Sequence, residues 1–210
     1  GVSDMVLKLI PEICQSCKIC REWAKPSPGS QAQCRVADAF NQQVEGDLLF
    51  IYDYVIFHLL DRCTRWHSAK IVPNKEGETL RKALAECWIS IFGPMGELIY
   101  DGESGIVRDL QTRQYIQRLG TNLIKKAPGQ HAWHIERRGA LVREIVHKIY
   151  SQLREEGILN FSFEQVLSEA VFALNALLNS NGSTPYSNVF GRMPSILPGL
   201  STVTPGGQDP

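Results

Sequence analysis

The sequence predicts an α/β fold, a mixed sheet covered by helices. Three short runs rich in aromatic and β-branched residues follow one another between positions 48 and 72, with little between them. Apolar residues then switch to the three-to-four spacing of amphipathic helices. From there strand-like and helix-like segments alternate, which is the pattern of layered α/β domains.

Composition narrows the class. The chain has 210 residues, with 43% hydrophobic and 21% charged side chains, an ordinary globular balance. Wholesale disorder is thereby excluded. Lys and Arg number 22 against 22 Asp and Glu, so the formal net charge is zero. The run 55–60 is interrupted by His58 and followed by Asp61, so it cannot cross a bilayer. No membrane partner is expected.

The elements come in order. Residues 48–52 and 54–60 read as a hairpin, with Asp53 in the turn and Asp47 opening the first strand. Residues 66–72 give a third strand, stopped by Pro73-Asn74. Leu80, Ala83, Leu84, Cys87, Trp88 and Ile91 stripe a helix over 76–92, ended by Gly93-Pro94. A short strand at 98–100 runs into Asp101-Gly102. A helix over 108–119 closes at Gly120, and Leu123-Ile124 mark a fifth strand. Ile135, Val142, Ile145, Val146 and Ile149 stripe a long helix over 132–150, and Phe163 to Leu177 stripe a last one. Prolines 185, 194, 198 and 205 predict an extended tail. The expected organisation is an appendage at 1–36, a core at 37–182 and a tail at 183–210.

Three acids stand at places where such sheets present ligands: Asp47, Asp101 at the end of the fourth strand, and Glu136 near the start of the long helix. A carboxylate amid apolar strand residues is costly unless paired or metal-bound. Three converging carboxylates would suit two Mg²⁺ or Mn²⁺ ions about 3.5–4 Å apart, the arrangement that serves phosphodiester chemistry. Taken singly, an Asp at a strand end is more often a turn residue or a helix cap.

The spacing of 54 and then 35 positions, with the element order, resembles the catalytic core of retroviral and LTR-retrotransposon integrases, a ribonuclease-H-like fold. Leu59-Leu60-Asp61-Arg62-Cys63-Thr64-Arg65 is similar to the family's second strand and turn. Glu136-Arg137 resembles its glutamate-arginine step. Asn175, Gly182-Ser183-Thr184-Pro185 and Phe190-Gly191-Arg192-Met193-Pro194 resemble its segment after the core. The resemblance implies a ribonuclease-H-like mixed five-stranded sheet flanked by helices. It implies Asp47, Asp101 and Glu136 as the catalytic, Mg²⁺- or Mn²⁺-binding triad, with Asp61 a structural aspartate and Asp53 a turn residue. It further implies 3′-end processing and strand transfer on DNA, a homo-oligomer, an origin in a retroelement polyprotein, and a nuclear site of action. No targeting signal is seen. Two steps depart from the family pattern: Asp101-Gly102-Glu103, and Gln130-His131-Ala132-Trp133-His134-Ile135 before the third acid.

Cys17-Lys18-Ile19-Cys20 resembles the cysteine half of the integrase N-terminal zinc module. Structural zinc needs four ligands. No histidine precedes His58, so a chain that starts at Gly1 reads as a fragment beginning inside that module. Zn²⁺ is expected in the parent module, with Cys17 and Cys20 a partial site here. Cys14 and Cys34 are the alternative further ligands, and unmetallated thiols are the plainer reading of the fragment.

The zero net charge hides a basic segment. Between 121 and 150 six basic side chains face two acidic ones. Lys125, Lys126, His131, Arg137, Arg138, Arg143, His147 and Lys148 are the expected DNA contacts. Glu136, Arg143 and His147 fall on roughly one helix face. A solvated helix face explains the same charges without DNA, and His134 reads equally as a structural histidine. Two functional rivals remain: a decayed or domesticated integrase that binds without catalysis, and another ribonuclease-H-like nuclease. A third, a zinc-stabilised interaction module, is not an enzyme.

Overall fold

The computed structural model describes residues 8–10, 13, 16–19, 37–100, 105–126, 133–158, 160–179 and 182–194. Five strands form one mixed sheet in the order β3-β2-β1-β4-β5. β1 (Gln43–Ile51) and β2 (Tyr54–Asp61) pair antiparallel from Ile51 opposite Tyr54 to Val44 opposite Asp61. The connection is the two-residue turn Tyr52-Asp53, with Tyr52 at φ 51°. β3 (His67–Val72) pairs antiparallel with β2. β4 (Glu97–Tyr100) and β5 (Asn122–Lys125) run parallel to β1, which requires the helical crossovers between them. β1 starts five residues earlier than its apolar run. Asp47 therefore lies mid-strand instead of opening it.

The helix expected over 76–92 is split. α1 (Gly77–Leu84) passes into a π-helical turn at Ala85–Ile89 before α2 (Ser90–Phe92). The wider turn rotates the residues after it, so Ile91 leaves the apolar stripe and is 62% exposed. α3 (Gly105–Arg108) and α4 (Leu110–Arg118) divide at Asp109, whose carboxylate caps α4 by accepting from the Thr112 amide. α5 (Trp133–Glu155) runs five residues past its expected end. α6 (Phe163–Leu177) opens on a capping box formed by Ser162 and Gln165.

The tail expected to be extended from Thr184 instead contains α7 (Pro185–Phe190). Thr184 caps it, Pro185 occupies the first turn where its missing N–H costs nothing, and Gly191 closes it at φ 67°. A proline read as a breaker is here a helix starter.

The sheet separates two apolar clusters. Val44, Phe57, Leu59, Leu98 and Tyr100 pack against Leu80, Leu84 and Trp88 from the α1 side, with Ile106 of α3 and Ile116 of α4. Leu49, Ile51 and Ile56 pack on the opposite face against Val142 and Val146 of α5 and Phe163, Val166 and Leu174 of α6. Alternation along β1 thus decides which side chains look toward α5. No helix of the described residues is long and apolar enough to cross a membrane.

Candidate active site

On β1 the residues with the parity of Leu49 and Ile51 face α5, and these include Glu45 and Asp47. Asp47 is half-buried, stands opposite His58 in β2, and accepts from the Leu48 amide at 2.8 Å. Gly46 has the other parity. A Cβ there would sit 2.4 Å from the Tyr100 ring, so its hydrogen lets Tyr100 cover the strand. The β1–β4 register ends with Gly46 beside Tyr100. Asp101 comes directly after Tyr100 in sequence and lies outside the described residues.

The start of α5 is seated on this part of β1. The Ile135 amide donates to Glu45 Oε2 at 3.2 Å, and Ile135 packs on Leu60. Glu45 is 4% exposed and its other oxygen pairs with Arg62 Nε at 3.2 Å. At Gly139 a Cβ would lie 3.3 Å from both His58 and Leu49, so a bare backbone lets the helix lie close to the sheet. Glu136, next to Ile135, is exposed in the first turn of α5. The amide beside it is therefore tied to a side chain two positions, about 7 Å of strand, from Asp47. Carboxylate oxygens are the donors that Mg²⁺ and Mn²⁺ prefer. Among the described residues, no group of three or more His, Cys, Asp or Glu is gathered for a metal.

Two acids are placed in structural roles. Asp61 is fully buried. Its Oδ1 accepts from the Cys63 and Thr64 amides and the Thr64 hydroxyl, and its Oδ2 accepts from the Asn41 amide at 2.9 Å. Asp53 is in the β1–β2 turn. Cys17 is half-buried, while Cys14, Cys20 and Cys34 lie outside the described residues.

No protein-family model matches the sequence, and no curated protein does. Solved structures do. The HTLV-2 integrase catalytic core domain in complex with magnesium, in dimeric form, superposes with a TM-score of 0.61 at 14% identity, over 71% of this chain and 96% of that one. Its trimeric form gives 0.60 at 15% identity, over 70% and 95%. The simian T-cell lymphotropic virus intasome in complex with PP2A regulatory subunit B56 gamma gives 0.67 at 17% identity, over 100% and 74%.

The fold is that of a retroviral integrase catalytic core.

Within this integrase-like core the expected basic face divides. Lys125, at the end of β5, and Arg137 are exposed, Lys126 is half-buried, and His131 lies outside the described residues. Arg143 donates to the Phe50 carbonyl at 3.3 Å, and His147 Nδ1 is 2.7 Å from the Tyr52 hydroxyl. The face shared by these two residues is thus turned to the β1–β2 hairpin. Burial, and then Arg143, push the His147 pKa down. Lys148 pairs with Glu144 at 2.9 Å.

Arg138, one of the expected DNA contacts, is 4% exposed, and its Nη2 donates to the Arg65 carbonyl at 2.9 Å. The helix points it at the turn after β2, and only the packing of that turn buries it. His134, half-buried beside it, is pushed down to about 4 by burial and by Arg65 and Arg62, so the neutral form dominates at pH 7.

Two residues of the integrase-like core escaped the sequence reading. Glu45 was legible in principle, since it is an acid with the parity of Asp47 in an otherwise apolar strand. Arg65 was not, because its position depends on a turn residue at φ 65°.

Proposed function

We propose that this chain is an integrase-type polynucleotidyl transferase core acting on DNA, by 3′-end processing and strand transfer. The observation that supports it best is the meeting of β1, β4 and α5. Gly46 stands beside Tyr100, the next residue of each segment is an aspartate, and the first turn of α5 is tied to Glu45 two positions from Asp47. Asp47, Asp101 and Glu136 would hold Mg²⁺ or Mn²⁺. The ions would supply activation of a water or 3′-hydroxyl and stabilisation of the leaving oxygen. The protein's share is positional: Glu45 and Gly139 hold α5 against β1, and Tyr100 covers the strand just before the acids.

Comparison of wild type with Glu136→Gln and Asp47→Asn in a Mg²⁺-dependent strand-transfer assay tests the proposal. Product from wild type alone is expected. Equal product from all three proteins would refute the triad, and no product from any would favour a decayed, binding-only core. Cleavage of RNA–DNA hybrids without DNA-end joining would favour a ribonuclease-H-like nuclease.

The magnesium, dimeric, trimeric and intasome descriptions of the similar structures support Mg²⁺, self-association and DNA as the working expectations. A nuclear site of action belongs to the same proposal. Cys17 and Cys20 would supply half of a tetrahedral zinc site in a longer chain, the other ligands coming from outside these residues.

A further inference from the structure

β4 ends with Tyr100 beside Gly46. From Asp47 onward β1 therefore has β2 on one side and, among the described residues, no strand on the other. Ile51 and Tyr54 close the two-residue turn, so Phe50, the residue before, turns its N–H and C=O away from β2 toward that free edge. Arg143 reaches the carbonyl there at 3.3 Å. The Phe50 side chain has the parity of Leu48, on the α1 side of the sheet, and is 45% exposed. It lies about 10 Å of strand from Asp47.

Single exposed apolar side chains are ordinary. What marks Phe50 is the group over its face. The Lys75 ammonium stands 4.6 Å from the ring centroid. Lys75 is itself exposed and comes from the link between β3 and α1. A Cβ at Gly105 would overlap the Lys75 carbonyl, so this link is packed against the start of α3, which follows Asp101 closely in sequence. An aromatic face and a cation are thus held together where β1, the strand of Asp47, comes near the chain that follows Asp101.

We propose that Phe50 and Lys75 form a seat for an unpaired nucleotide at the end of a DNA strand, the base stacking on the Phe50 ring and Lys75 pairing with the adjoining phosphate. A base frees its faces where its strand is unpaired, and every base has such a face, so the seat reads strand ends and not sequence. Stacking of a base is worth more than the contact of an exposed ammonium with a phenyl ring, so the base displaces Lys75 from the ring. The displaced ammonium is a flexible point charge within reach of the phosphate. About 10 Å corresponds to roughly three stacked nucleotides at about 3.4 Å each, so the seat holds a strand a few nucleotides from a phosphodiester at the acids. The seat rests on the reading of the chain as a DNA-processing core. It adds to that reading a preference for frayed or overhanging ends.

The test is fluorescence anisotropy without divalent ions, comparing a blunt duplex with the same duplex carrying three unpaired nucleotides. Wild type should bind the overhang at least about 5-fold more tightly. Phe50→Ala should lose that preference and, with its ring half in solvent, should melt close to wild type; Phe50→Trp should keep the preference. Lys75→Gln should weaken binding of both duplexes and lower the slope of log K against log salt by about 1. Phe161→Ala, 38% exposed and beyond the end of α5, is the control and should match wild type. In wild type, an iodouracil placed in the overhang should crosslink to Phe50 on irradiation, as located by mass spectrometry.

Equal binding of both duplexes by wild type would overturn the proposal. So would an undiminished preference in Phe50→Ala, a crosslink at another residue, or a wild type that binds neither duplex. A Phe50→Ala protein that keeps the preference but no longer self-associates in sedimentation would overturn it in favour of a protein contact. Failure of the transferase reading looks different: wild type would prefer the overhang and crosslink at Phe50, yet give no Mg²⁺-dependent product. Mg²⁺-dependent product together with an undiminished preference in Phe50→Ala would overturn the seat alone.

Discussion

Replacing Glu45 with Ala should loosen the joint on which the candidate active site depends. The carboxylate is 4% exposed, accepts from the Ile135 amide at 3.2 Å and pairs with Arg62 at 3.2 Å. A hydrogen bond to a charged group is worth about 1.5–3 kcal/mol, and removing one partner leaves the other stranded. Arg62 is 21% exposed, so part of its charge returns to solvent and the full cost of breaking a buried pair is not reached. The expected loss is about 2–4 kcal/mol. At roughly 2–4 °C per kcal/mol for a chain of this size, the melting temperature should fall by about 4–16 °C in a calorimetric scan. Glu45→Gln keeps an acceptor for Ile135 and should recover about half of that. With the first turn of α5 freed from β1, strand transfer by Glu45→Ala at a temperature where it remains folded should drop at least tenfold. A Glu45→Ala protein within about 0.5 kcal/mol of wild type, or one folded and fully active, would refute the argument that this carboxylate seats the helix.

Acid should unfold the protein early. His58 Nδ1 and His67 Nε2 are 3.1 Å apart in the core, and burial lowers both pKa values, His58 to about 3. Lys126 and Arg143 add to the lowering at His58, and the neighbouring histidine and Arg138 at His67. The unfolded chain therefore takes up protons first. Stability is complete above about pH 7 and declines as pH falls through 6.5 toward 3, with His58 contributing about 2 kcal/mol of the loss at pH 5 and His67 acting in the same direction; urea titrations at pH 7.5 and 5 without divalent ions check it. Asn175→Ala should cost about 2–3 kcal/mol, because the side chain accepts from the His67 amide at 3.0 Å and donates to its carbonyl at 2.8 Å, binding α6 to the edge strand. Chemical denaturation measures it, and a loss below 1 kcal/mol would refute the account. Gly139→Val should displace α5 from Leu49 and His58, lowering both melting temperature and strand transfer, while Gly157→Ala, open but at φ 71°, should cost only about 1 kcal/mol.

The sequence by itself determined the element order and the sheet. Period-two runs and three-to-four stripes are local properties, and the two faces of β1 could be read from alternation alone. The turn at Asp53 was legible too, whereas the structural role of Asp61 was implied only by the family resemblance, and its bond from the Asn41 amide spans 20 positions. Only the tertiary structure decided the rest. The π turn at Ala85–Ile89 and the helix at Pro185–Phe190 depend on what each segment packs against. The burial of Arg138 depends on the turn after β2 lying over α5, although 73 positions separate it from Arg65. The tie between Glu45 and Ile135 spans 90 positions. Spacing along a chain names the charged groups. Which of them lose their water is decided by surfaces that meet only after folding, and that loss separates a solvated helix face from a buried guanidinium.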